Sequence, residues 1–96
     1  MVGDIYSFKH STSGFQLKLG TEGVVVQDMP DLWFPAGRLL FIIFANGEYE
    51  EFTSKQQLRC LSYIKHSPIH SGYIFKNMTQ MKEDFSNGYW STAFSN

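Results

Sequence analysis

One cysteine, three prolines and few charges mark what this 96-residue sequence is short of. The lone thiol, Cys60, excludes an internal disulfide and a zinc site built from cysteines. Set between Leu58 and Leu61, it reads as a small core residue. No apolar run approaches the ~20 residues that span a bilayer, so no membrane partner is expected. The start, Met1-Val2-Gly3-Asp4, has neither the basic opening nor the apolar stretch of a secretory signal. Together these absences point to a soluble, reducing, cytoplasmic setting. Charged residues make up 18% and the net charge is −1, which argues against binding nucleic acid through overall charge. Acidic residues are missing altogether between Phe52 and Lys82. No internal repeat, low-complexity tract or linker interrupts the chain, so residues 1–96 are read as one domain.

Aromatic residues, by contrast, are abundant. They make up 17% of the chain, including nine Phe, and they favour strands and bury large areas, so a short chain closes a core with few of them. Charge is unevenly spread. Residues 1–53 hold three bases against seven acids, while residues 54–96 hold five bases against two acids. Such a dipolar chain packs one half on the other or offers a basic face to a partner.

The clearest local signal is the stretch 38–53. The run Leu39 to Phe44 is apolar on both faces, as in a central strand. Asn46-Gly47 suits a tight two-residue hairpin turn. The return leg, Glu48 to Phe52, has apolar side chains at 49 and 52 with polar ones between and reads as a more exposed strand. Earlier, Gly3 to His10 alternates as a strand, and Ser11 to Gly14 reads as a loop. Phe15-Gln16-Leu17-Lys18-Leu19 is a strand or the arm of a long loop, and Val24-Val25-Val26 is a buried strand ending near Asp28. Residues 29–37 form a loop with two prolines. Ser54-Lys55-Gln56-Gln57 resembles a helix start, after which 59–64 is a fifth strand or the helix continues to about Lys65. Ser67-Pro68 stops either one. Asn77 opens a second helix with Met78, Met81 and Phe85 at helical spacing, ending at Asn87-Gly88. The aromatic tail 89–94 is expected to pack back on the barrel that the strands form or to join an interface.

The order Gly3-Asp4-Ile5, Gly20-Thr21-Glu22-Gly23-Val24-Val25, then Phe41 to Phe44 with Asn46-Gly47-Glu48, resembles small Src-homology-3-like barrels of the KOW and Tudor type. Many small phage-encoded proteins share that order. The resemblance covers residues 3–64 and rests on turn glycines and strand rhythm. It implies a mostly β fold: a small five-stranded barrel, with residues 65–96 as connector, short helix and tail. It carries over no functional residue set, because such barrels bind unrelated partners. The aromatic insertion at 29–37 departs from the minimal pattern.

Motifs for chemistry are few. His66 and His70 stand four apart, but Pro68 would break the helix that puts them on one face. Gly20-x-x-Gly23 lacks the third glycine and the phosphate-gripping lysine of a nucleotide loop. Glu48, Glu50 and Glu51 read as a solvated hairpin tip. No catalytic set, metal or cofactor is therefore expected. Two surfaces stand out instead. Leu32, Trp33 and Phe34 lie on the proline-flanked loop, where they either seal the core or meet a protein partner. Lys55, Arg59, Lys65 and Lys76 interleave with Tyr63 and Tyr73, a pattern that can grip phosphates and stack on bases. The expectation is a non-enzymatic protein-binding module, of the kind a phage uses to bind or inhibit a host protein. The alternatives are a nucleic-acid-binding barrel and a homo-oligomer formed through the aromatic tail.

Overall fold

A computed structural model describes residues 1–9, 16–34 and 36–94. Its core is a five-stranded antiparallel sheet: β1 (Asp4–Phe8), β2 (Glu22–Pro30), β3 (Arg38–Phe44), β4 (Tyr49–Phe52) and β5 (Leu61–His66). The strands lie in the order β4-β3-β2-β1-β5. The expected closed barrel is therefore corrected to an open sheet, because β4 and β5 are its two ends and do not pair with each other. Between them in sequence stands a seven-residue helix, α1 (Ser54–Cys60). The proposed strand at Gly3–His10 appears as β1, with His10 outside the described residues. The loop proposed at 11–14 and Phe15 also lie outside them. Leu17 is buried against the sheet without being part of a strand.

The hairpin joining β3 to β4 forms where expected, but with a different turn. Gly47 N–H donates to the Phe44 carbonyl and Phe44 N–H to the Glu48 carbonyl, both at 2.8 Å, which closes a loop of Ala45, Asn46 and Gly47. Only Gly47 takes positive φ, at 89°. A two-residue type I′ turn would need positive φ at Asn46 as well, so this is the three-residue alternative with glycine at the left-handed position. Asn46 stabilises it by accepting from Glu48 N–H through Oδ1. On the return strand, burial and then the neighbouring Glu48 and Glu51 charges raise the pKa of Glu50. A carboxyl whose pKa rises on folding opposes folding while it is charged, and that cost disappears once it is protonated. Glu50→Gln is expected to raise the melting temperature slightly at neutral pH, and the gain should fade as pH falls to ~4. Melts across that range would show it.

Both faces of the sheet are buried, which explains why β2 and β3 are apolar on both sides. On the inner face Phe8, Val25, Leu40, Ile42, Phe44 and Phe52 form one cluster, with Cys60 and Leu61. On the outer face Ile5, Val24, Val26 and Ile43 meet Met81, Trp90 and Ala93. Ordinary strand alternation sends consecutive residues to opposite faces, and the ladder shifts register between Val25 and Gln27 and between Ile5 and Tyr6, as at a β-bulge. Gly23 is required by close approach: an added Cβ would lie 2.5 Å from Ile42 Cγ2.

The second helix, α2 (Met78–Ser86), begins and ends as expected. Asn77 Oδ1 accepts from Gln80 N–H at 2.8 Å, and Gly88 takes positive φ just beyond the end. This helix and the tail cover the outer face. Residues 54–65 combine the two readings of the sequence, with a short helix running directly into a strand. The cap lies one residue earlier than expected: Thr53 Oγ1 accepts from Gln56 N–H and Gln56 Oε1 accepts from Thr53 N–H. That reciprocal pair satisfies two backbone donors left over at the helix start. Thr53→Ala is expected to cost about 1 kcal/mol in chemical denaturation.

Candidate functional site

The apolar loop sits at the tip of a ribbon. Beyond Val25, β2 pairs only with β3, through Gln27↔Phe41 to Pro30↔Arg38. β2 outruns β1 there, while β3 outruns β4 only by Arg38 and Leu39, and the chain must reverse between Pro30 and Arg38. Asp31 organises the reversal. It is buried, its Oδ1 accepts from Trp33 N–H at 3.0 Å, and its carbonyl accepts from Phe34 N–H at 3.2 Å. Asp31 N–H donates to the Gly37 carbonyl, and Gly37 N–H donates to the Phe34 carbonyl at 2.8 Å. An aspartate bonding a backbone amide two residues on is a standard turn device. Its effect here is to spend the polar groups inward and turn the side chains outward. Leu32 is 92% exposed, Trp33 89% and Phe34 47%. Of the two roles open to this loop, the geometry assigns it a surface position. Pro35 lies outside the described residues.

The base of the loop is docked on α1. Arg38 N–H donates to Ser54 Oγ at 3.0 Å, and Gln57 Nε2 donates to the Arg38 and Phe52 carbonyls at 2.6 and 3.0 Å. Gly37 allows this contact, since a Cβ there would stand 2.5 Å from Ser54 Oγ. The Lys55 ammonium lies over the Phe34 ring, 5.6 Å from its centre. Arg38 is turned to Asp28, with Nε to Oδ1 at 2.7 Å.

The residues of the basic and aromatic stretch are not gathered into one site. Lys55 and Arg59 are exposed on α1, and Tyr63 and Lys65 are exposed on β5. Tyr63 packs edge-on against Tyr6 at 5.6 Å. Tyr73 is on the other side of the sheet, in the outer cluster, and Lys76 is exposed on the connector ahead of α2. Tyr73 is also engaged: its hydroxyl donates to Asp84 Oδ2 at 2.8 Å, and its ring packs on Tyr89 and Trp90. Burial and then the Asp84 hydrogen bond and charge push its pKa far above the usual phenol range. The tail buries Trp90 and Ala93 against its own sheet.

Two polar groupings escaped sequence reasoning. Ser67 and His70, both buried, are joined by a 2.6 Å bond between Oγ and Nδ1, while His70 Nε2 donates to the Tyr89 carbonyl at 3.1 Å. The carbonyl can only accept, so Nε2 carries a proton. The pair staples the 3-10 turn Pro68–His70 to the tail. Near it, Asp4 Oδ1 meets His66 Nδ1 at 2.7 Å and ties β1 to β5. The spacing of Ser67 and His70 within one helical turn was a local signal for the first, and nothing in the sequence marked the second. Among the described residues, no three His, Cys, Asp or Glu side chains group as a metal centre requires. Likewise, no described helix is long and apolar enough to cross a membrane.

The fold and surface define a small open antiparallel sheet, covered on both faces, that carries an ordered apolar loop at one ribbon tip. The chain matches no family model, no curated protein and no solved structure.

Proposed function

We propose that the chain is a non-enzymatic protein-binding module whose contact surface is the loop of Leu32, Trp33 and Phe34. The observation that carries this reading is the near-complete exposure of Leu32 and Trp33 on a loop whose backbone is fixed by its own hydrogen bonds. Large exposed apolar side chains are costly to leave in water, and tryptophan dominates interface energies more often than most residues. A loop ordered before binding loses little further entropy on association. The strand order β4-β3-β2-β1-β5, with a short helix between β4 and β5, supports reading the fold as an opened Src-homology-3-like barrel. The test is photo-crosslinking from a benzophenone side chain placed at position 33, compared with one at the exposed Lys82 on α2, in extracts of the cells that make the protein. Specific adducts from position 33 alone are expected. Equal labelling from both positions would sink the reading.

A further inference from the structure

The binding loop opens onto a groove that has its own chemistry. On the α1 side, a recess of about 390 Å³ is lined by Phe34, Ala36, Gly37, Ser54 and Lys55. A second, of about 470 Å³, shares Ala36 and Ser54 and continues past Leu58 and Leu61 to Tyr6 and Lys9. The two recesses meet at Ala36 and Ser54, where the loop faces α1, and together make a shallow channel. Its walls are largely apolar, and Leu58, 81% exposed, stands on its rim. Its charges are of one sign. Lys9, Arg38 and Lys55 line it, and among the described residues no carboxylate does. Arg38 is neutralised by Asp28, whereas Lys9 and Lys55 enter no ion pair among the described residues.

From this geometry we infer that the channel takes an acidic peptide segment of the partner: an extended stretch with an apolar side chain between Ala36 and Leu58, and carboxylates reaching Lys9 and Lys55. This inference rests on the protein-binding reading of the loop and names the partner's chemistry. Two cations without ion-pair partners, Lys9 in one recess and Lys55 in the other, are too few to hold a phosphate backbone, whose affinity grows with each phosphate neutralised. They suffice to select a peptide by sign, because complementary charge acts on specificity and on the rate of encounter. The apolar walls supply the burial that a carboxylate-flanked side chain needs.

The experiment is selection of a random-peptide display library on the folded full chain, followed by titration of the recovered peptides against variants whose melting temperatures match the wild type. Enrichment of Asp and Glu beside an apolar residue is expected. Lys9→Glu/Lys55→Glu should weaken those peptides about tenfold or more, with Lys55→Arg retaining affinity and added salt reducing it. Recovered peptides that lack acidic enrichment, or that bind the double variant as well as the wild type, would overturn the inference. If such peptides still need Trp33, the protein-binding reading survives. If no recovered peptide depends on Trp33 or on the lysines, both fall. A labelled single-stranded oligonucleotide that binds the wild type and is lost in the double variant would overturn the peptide assignment in favour of nucleic acid.

Discussion

Trp90→Ala is expected to lower the unfolding free energy by about 3–5 kcal/mol, the cost of removing a large aromatic side chain from a packed core. Trp90 is 1% exposed and holds the tail on the outer face of the sheet, among Ile5, Val24, Val26 and Ile43. Its ring meets Tyr73 at 4.7 Å and Tyr89 at 4.9 Å, both in edge-to-face geometry. Truncation uncovers apolar strand surface on that face. Against a total stability of about 5–15 kcal/mol for a domain, this loss is severe. It should lower the melting temperature by about 4–8 °C per kcal/mol. Trp90→Phe separates packing from polarity. Trp90 Nε1 is buried without a hydrogen-bond acceptor among the described residues. Phenylalanine keeps most of the apolar contact and removes that unpaired donor, so its cost should be well below that of alanine. Equal losses for the two variants, or a loss near zero for alanine, would contradict the role assigned to the tail.

Leu32→Ala/Trp33→Ala should behave in the opposite way. Both side chains lie in solvent, so unfolding should shift by less than about 0.5 kcal/mol. Their loss should nevertheless cost partner binding at least 2 kcal/mol, the threshold of a dominant interface residue, or about thirty-fold in affinity. Binding isotherms and denaturation curves of the same preparations would show the two effects apart. A destabilised double variant would place these side chains in the core. A stable variant with full affinity would remove them from the interface.

The contrast between these two tryptophans shows what could be read from the sequence. The strands, the hairpin at Asn46-Gly47 and α2 with its Asn77 cap were legible because turn residues and periodicity act locally. The apolar character of both faces of Leu39–Phe44 also marked it as a central strand. What covered the second face was less legible, because Met81 and Trp90 lie 38 and 47 residues beyond Ile43, the last buried strand residue of that cluster. The closure of the sheet was not legible either: strand rhythm fixes neighbours, whereas closure depends on whether the first and last edges meet, and here they do not. The exposure of Trp33 was undecided for a related reason. Leu-Trp-Phe has the same composition whether it seals a core or faces water. The decision lies in Asp31, which turns the backbone inward, and in the overhang of β2 and β3 that carries the loop away from the core. Tyr73, grouped with the basic stretch by its place in sequence, was claimed instead by Asp84, which is eleven residues away in the chain.

A contact loop of this kind must be exposed and ordered at the same time, and amide hydrogen exchange tests this directly, with acrylamide quenching of Trp33 fluorescence in a Trp90→Phe background as its companion. The Trp33, Phe34 and Gly37 amides donate to Asp31 and Phe34 oxygens, so they should exchange well below the free-chain rate while the Trp33 indole is freely quenched. Amides that exchange at the free-chain rate, or an indole shielded from quencher, would contradict a contact surface set before its partner arrives.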